Sequence, residues 1–200
     1  MGDLAGSDGR LSLAGGVVSA GIGVIVDATG TLKGAGDING WVRILEDGVF
    51  SPGFTLNPDT FDISGFLDFR PGARLVFSLG APGVVGAGEN DLITVGGNLV
   101  LDGTLDIDDL AGFGDGIYTL ITYDGNLTDN GLSLGAVPAG HLIAIDTSVP
   151  GEVRLLVGEG FGVEIPEFFP IPVFNTFGLF GLVLLLMLLG ARRLSRQKAI

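Results

Sequence analysis

Residues 97–107 read Gly-Asn-Leu-Val-Leu-Asp-Gly-Thr-Leu-Asp-Ile, which is two short apolar segments separated by an Asp-Gly turn. In both segments large aliphatic side chains occupy alternate positions, so a strand formed here would bury one face and expose the other. Residues 125–134 repeat the start of this unit as Gly-Asn-Leu-Thr-Asp-Asn-Gly-Leu-Ser-Leu. Such repeats are typical of a solenoid, in which each coil covers the apolar face of the next.

The same pattern continues from about residue 11 to residue 158, with 36 glycines in the chain marking turns between short runs of Val, Ile, Leu, Thr and Phe. No window before residue 171 has helical periodicity. We therefore predict an all-β solenoid, with a β-sandwich as the alternative because the repeats have no fixed period. The strands read directly are residues 23–27, 41–45, 61–63, 66–69, 74–79, 92–95, 98–101, 104–107, 118–121, 142–145 and 153–157.

Several stretches resemble the passenger coils of bacterial autotransporter-associated β-helix proteins. They include Gly-Val-Phe-Ser-Pro-Gly at 48–53, Asn-Pro-Asp-Thr-Phe-Asp-Ile-Ser-Gly at 57–65 and Pro-Gly-Ala-Arg-Leu at 71–75. The match continues through residues 90–99, 103–107 and 113–121. The resemblance covers about residues 30–158 and implies a right-handed parallel β-helix in a secreted or surface-displayed region. It implies a fold and a compartment, and no particular chemistry.

The C-terminal part of the chain has the composition of a membrane anchor. Residues 171–191 are almost uninterrupted apolar residues, and a helix of that length spans about 30 Å, one hydrocarbon core. A basic tail, residues 192–200, follows this run. Because Lys and Arg beside a transmembrane segment stay in the cytoplasm, we expect the tail to be cytoplasmic and the rest of the chain exported. A tail-anchored protein with a cytosolic domain is the alternative. The predicted stop-transfer residues are Arg192, Arg193, Arg196 and Lys198.

This C-terminal segment also resembles the IPTL and PEP types of sorting signal. An Ile-Pro pair, an aromatic residue before Gly-Leu, a Leu-rich span and a basic cluster occur in the order that these signals have. The resemblance implies processing by an exosortase-like membrane transpeptidase, with inner-membrane anchoring in transit and final delivery to the cell surface. The residues that match the sorting motif are Ile171, Pro172, Phe177, Gly178 and Leu179.

We predict three segments: a β-helix domain at 1–158, a Pro- and Phe-rich spacer at 159–170, and the sorting signal at 171–200. The first residues lack the basic region and apolar core of a signal peptide, so we expect the chain to be N-terminally incomplete or to have a misassigned start. The net charge of −13 argues against a nucleic-acid partner. The expected partners are the membrane, the sorting transpeptidase and extracellular polysaccharide or matrix.

Cysteine is absent, which excludes disulfides and thiolate metal ligands, and no cofactor is expected. Carboxylates in coil turns could hold Ca²⁺, but their spacing matches neither the EF-hand loop nor the Gly-Gly-x-Gly-x-Asp nonapeptide array. Solvated turn carboxylates are therefore the preferred interpretation. The calcium candidates are Asp102, Asp106, Asp108 and Asp109, with Glu89, Asn90 and Asp91 as a second group.

Catalytic patterns are weak in this sequence. Ser133 lies in a Gly-x-Ser-x-Gly match at 131–135, but no helix can follow it, and no acid separates it from His141, the single histidine. We predict a non-enzymatic structural or adhesive protein of the cell envelope. The alternatives are a fragment of an autotransporter adhesin passenger and a carbohydrate-active enzyme built on a β-helix, which would use paired carboxylates.

Overall fold

The structure is a computed structural model that describes residues 9–19, 23–54, 56–86 and 88–158. Every regular element in these ranges is a β-strand. The strands are β1 (Arg10–Val18), β2 (Val24–Val26), β3 (Thr31–Ile38), β4 (Val42–Ile44), β5 (Val49–Pro52), β6 (Thr60–Ile63), β7 (Leu67–Phe69), β8 (Arg74–Leu79), β9 (Leu92–Val95), β10 (Leu99–Leu101), β11 (Thr104–Asp109), β12 (Gly116–Tyr123), β13 (Leu127–Asp129), β14 (Ser133–Leu134), β15 (Leu142–Asp146) and β16 (Glu152–Gly158).

The strands stack in three rows, here called the first, second and third faces. The first face has the order β3-β5-β8-β11-β14, the second β3-β6-β9-β12-β16-β15, and the third β2-β4-β7-β10-β13. Strand β3 belongs to two faces because Thr31–Lys33 pair with β5 and Gly36–Ile38 with β6. All pairs are parallel until β16 joins β12. Stacked parallel coils are consistent with the predicted β-helix or solenoid, and they do not fit a sandwich, whose strands pair antiparallel.

The coils differ in length, which explains why the sequence shows no fixed period. The aligned third-face positions are Val24, Val42, Leu67, Leu99 and Leu127, successively 18, 25, 32 and 28 residues apart. The extra residues lie in turns and leave the pairing register of the strands intact. A solenoid tolerates such insertions because each coil contacts only its neighbours.

The core is a set of inward-facing ladders in which aligned positions of successive coils carry apolar side chains. On the first face Leu32, Phe50 and Leu75 are in register and fully buried. For residues 75–79, 99–101 and 105–107 the large side chain at every alternate position is buried, as predicted, but Ser78 and Asp106, which lie between them, are buried as well. Burial of this kind contributes about 25 cal/mol per Å² of apolar surface and holds adjacent coils together.

The last two strands reverse the direction of the second face. Strand β16 pairs antiparallel with β12 and with β15, so it lies between them. The fifth coil, which starts with β13 and β14, therefore adds no parallel strand next to β12 on the second face. Among the residues that the structure describes, no helix is long and apolar enough to cross a membrane. The predicted transmembrane helix at 171–191 and the spacer at 159–170 lie outside the described residues.

Candidate functional site

The longer turns of the solenoid lie between its first and second faces, an edge here called the loop corner. These turns are residues 53–59, 80–91, 110–115 and 135–141, whereas the turns between the second and third faces have only three residues each. Loops on a rigid scaffold tolerate insertion and commonly carry binding residues. The loop corner is thus one of two surfaces that could make specific contacts.

Asn90 fixes the longest of these loops from inside. Its side chain is fully buried, and its Oδ1 accepts a hydrogen bond from the Gly80 backbone N at 2.7 Å. Its Nδ2 donates to the carbonyl oxygens of Ala81 and Val84 at 2.8 and 2.7 Å. All these bonds fall within residues 80–91, so Asn90 closes the loop on itself.

Asp91 connects this loop to the coil before it. Its Oδ1 accepts a hydrogen bond from the Asp59 backbone N at 3.0 Å, and its Oδ2 accepts one from the Ser78 backbone N at 2.7 Å. Burial raises the pKa of Asp91 from 3.8 to about 7, although the two backbone donors act in the opposite direction; the nearby Asp59 charge adds to the rise. The interpretation of this group as solvated is wrong for Asp91, which is fully buried.

The raised pKa of Asp91 predicts that the folded chain loses stability as the pH rises from about 4 to about 7. In that window the folded state holds a proton that the unfolded state has released, so the free energy of unfolding falls with pH. We expect a decline of a few kcal/mol in urea unfolding followed by circular dichroism. The variant Asp91→Asn cannot ionise and should remove this slope. An unchanged slope in that variant would assign the pH dependence to other groups.

Asp146 has the opposite effect on the pH dependence of stability, and its effect occurs at lower pH. Hydrogen bonds from Ser148 and then Arg154 lower its pKa from 3.8 to about 2. Its stabilising contribution is present above its unfolded pKa and is lost as the pH falls toward 2. Asp91 therefore favours folding most below about pH 4, whereas Asp146 favours it above that pH.

The structure does not bring the four calcium candidates together. Asp102 Oδ1 accepts a bond from the Gly103 backbone N at 2.7 Å, and Asp106 is buried and pairs with Arg74 and the Ala136 backbone N. Asp108 and Asp109 are exposed at the end of β11. Within residues 9–158, as far as they are described, no three His or acidic side chains converge closely enough to hold a metal. The interpretation of Asp106 as a solvated turn residue is wrong, because Arg74 and the next coil enclose it.

Ser133 and His141 occupy different parts of the fifth coil. Ser133 is exposed on β14 of the first face. His141 Nδ1 lies 3.1 Å from Asp115 Oδ1, and its ring meets Phe113 edge-on. Sequence reasoning missed the Asp115 contact because the partner comes from the preceding coil, 26 residues away.

A groove along the second face is the other surface that could make specific contacts, and it was not predicted. It has a volume of about 260 Å³. At one register position β3, β6, β9 and β12 carry outward-facing, half-buried polar side chains, and a second polar row begins where these strands end. The first row is Asp37, Asp62, Thr94 and Thr122, and the second is Asn39, Ser64, Gly96 and Asp124. The signal in the sequence was the polar residue before each buried Ile, Val or Tyr, visible only once the coils were aligned.

The predicted sorting-motif residues 171, 172 and 177–179 and the predicted stop-transfer residues 192, 193, 196 and 198 lie outside the described residues. The structure therefore does not test these predictions.

The fold and its surfaces define a class, a β-solenoid-like chain of stacked parallel coils with long loops along one edge. No family model matches the chain. Over 117 residues, 58% of the chain, it is 49% identical to the adhesin BmaC autotransporter of Brucella suis biovar 1 (strain 1330). The chain spans 3% of the length of that adhesin. The similarity supports an autotransporter-related protein.

Proposed function

We propose that this chain is an adhesive segment of an autotransporter-type passenger, exposed at the bacterial surface. The observation that carries the proposal is the 49% identity to a protein named as an autotransporter adhesin, combined with the stacked coils of the present structure. The same similarity favours the adhesin-passenger alternative over a sorted envelope protein. We also propose that the coils wind in a right-handed direction, as the family resemblance implies.

The mechanism is mechanical and adhesive. Backbone pairing between coils and buried apolar ladders make the solenoid stiff, so outward side chains stay in fixed rows. Adhesion requires no chemical step, and we propose a non-enzymatic protein. A carbohydrate-active enzyme is the rival function, and detectable shortening of a polysaccharide by the purified chain would favour it. The proposed ligand is an extracellular polysaccharide or matrix component, and nucleic acid is not a proposed partner because the chain is acidic.

Adhesion can be measured with beads that carry the full chain at fixed density. We expect these beads to be retained on cultured epithelial cells or on extracellular matrix more strongly than beads carrying serum albumin, another acidic protein. Binding should persist after extensive washing and should be competed by free chain. Retention equal to that of albumin beads on both surfaces would contradict the proposed function.

The sorting signal at 171–200 is a separate proposal supported by sequence features alone. The apolar run and the basic residues after it would hold the chain in the inner membrane while an exosortase-like transpeptidase acts near Ile171 and Pro172. Expression behind a secretory signal, with and without such a transpeptidase, tests it by mass spectrometry of the mature C-terminus. Loss of the segment after about residue 170 only with the enzyme supports sorting. An intact C-terminus in both strains would contradict it.

A further inference from the structure

The second row of the groove on the second face lacks one side chain. Asn39, Ser64 and Asp124 are exposed at the strand ends, while the same position in the third of the four coils is Gly96. The four strands span three inter-strand steps, about 14 Å along the solenoid axis. The backbone of Ile38, Ile63 and Val95 lies between the two rows, and the side chains of these residues are buried in the core. This shape suits an extended chain lying across the strands.

The lining offers hydrogen-bonding groups of several kinds. Hydroxyl groups come from Ser64, Thr94 and Thr122, an amide from Asn39, and carboxylates from aspartates. The Thr94 hydroxyl donates to Asp62 Oδ1, so one carboxylate is already oriented by its neighbour. Groups of this kind recognise hydroxyl-rich ligands.

The charge of the groove restricts its ligand further. Asp37, Asp62 and Asp124 line it, and none of its lining residues is Lys or Arg. The ion pairs of the described residues lie elsewhere and use Asp68, Asp106, Asp115 and Asp146. Asp37 and Asp62 are directly aligned on adjacent strands, an arrangement in which like charges are destabilising. A ligand carrying positive charge would remove that penalty, whereas an acidic glycan would increase it.

We propose that this groove binds a linear amino-sugar glycan, with its amino groups near the carboxylates and its hydroxyl and acetamido groups on Asn39, Ser64 and the two threonines. The inference deepens the adhesive function proposed above and rests on it for the idea that the outer surface meets a glycan. A basic peptide would satisfy the carboxylates, but it would leave the hydroxyl groups without sugar partners. The groove therefore favours the glycan.

Isothermal titration calorimetry of the full chain tests the proposal at about pH 6, where primary amines are protonated. The probes are the hexamers of glucosamine, N-acetylglucosamine and galacturonate, with oligolysine as the non-sugar cation. We expect the glucosamine hexamer to bind most tightly, the N-acetylated hexamer more weakly and the galacturonate hexamer undetectably. Absence of glucosamine-hexamer binding, or oligolysine binding of equal strength, would overturn the proposal.

Matched variants then assign binding to the groove. The double variant Asp37→Asn/Asp62→Asn should weaken glucosamine-hexamer binding at least about tenfold, because it removes two charge-assisted hydrogen-bond acceptors. The control Asp108→Asn/Asp109→Asn changes net charge equally on exposed residues of β11 and should bind as the wild type does. Equal weakening in both variants would mean general electrostatic attraction and would reject the groove.

Two further measurements separate a failure of the groove assignment from a failure of the adhesive function. Thermal unfolding should show that the groove variant is folded, since it relieves like-charge repulsion, and Asp124→Asn provides a second variant at an exposed position. Beads carrying the groove variant should lose adhesion to glucosamine-bearing surfaces. If those beads adhere like the wild type, the groove assignment fails while the adhesive function stands. If wild-type beads do not adhere at all, the adhesive function itself fails.

Discussion

Replacing Phe50 by alanine should lower the free energy of unfolding by about 3–5 kcal/mol, the usual cost of removing a fully buried aromatic side chain. Phe50 is completely buried; its ring packs edge-on against Phe61 at 5.0 Å and stacks with Phe69 at 6.3 Å. These three residues belong to β5, β6 and β7, which lie on three different faces. The cavity would therefore open at the centre of the coil, where no neighbouring strand can collapse into it. Urea unfolding followed by circular dichroism measures the change.

The matched control for this prediction is Phe54→Ala. Phe54 is half-buried in the 53–59 turn, where the Lys33 Nζ lies 5.5 Å from its ring centroid. Its removal exposes no central cavity, so we expect a loss of about 1 kcal/mol from the cation-π contact and partial burial. A loss below about 1 kcal/mol for Phe50→Ala, or equal losses in the two variants, would show that the three rings do not form the packed centre of the coil.

Substituting Gly103 by alanine should destabilise the chain by about 2–5 kcal/mol, because two costs add. Gly103 has φ +85°, a conformation that costs an L-residue about 1–2 kcal/mol. A Cβ atom there would also lie 2.2 Å from the carbonyl oxygen of Ala73 in the preceding coil. That oxygen accepts the hydrogen bond from the Thr104 backbone N at 2.9 Å, so relief of the clash would separate the first-face strands β8 and β11.

Gly131→Ala isolates the first of these costs. Gly131 lies in the corresponding turn of the next coil with φ +99°, but a Cβ atom there would meet no other atom within 4 Å. We expect it to lose only the conformational part, about 1–2 kcal/mol. The difference between the two variants in thermal or urea unfolding measures how closely the coils approach each other. Identical losses would rule out the close contact between Gly103 and Ala73.

The strands with strong alternation were predictable, and those with weak propensity were not. Residues 74–79 were predicted as a strand and form β8 with the same bounds. In contrast β3 was missed, because Thr31–Ile38 contains Gly34 and Gly36, which are unfavourable in strands. It forms because it pairs with β1 along its length and with both β5 and β6. Tertiary pairing here overrides local preference.

The buried polar groups were also beyond prediction. Asp91 comes just before a predicted strand and Asp106 occupies an outward position within one, and neither context predicts burial. Their burial depends on partners 30 or 32 residues away, namely the Asp59 and Ala136 backbone amides and Arg74. The antiparallel insertion of β16 is of the same kind, because an alternating apolar run carries no information about the direction of its partner.

The sequence by itself determined the all-β class, the alternation that separates core from surface, and the glycine-marked turns, since these depend on contacts within a few residues. It also supplied the resemblance to autotransporter passenger coils. Only the tertiary structure decided which coils align, which aspartates are buried, and that Asp37, Asp62, Thr94 and Thr122 form one row. These features depend on coil closure over 18 to 32 residues, and insertions in the turns shift that spacing without changing any local pattern.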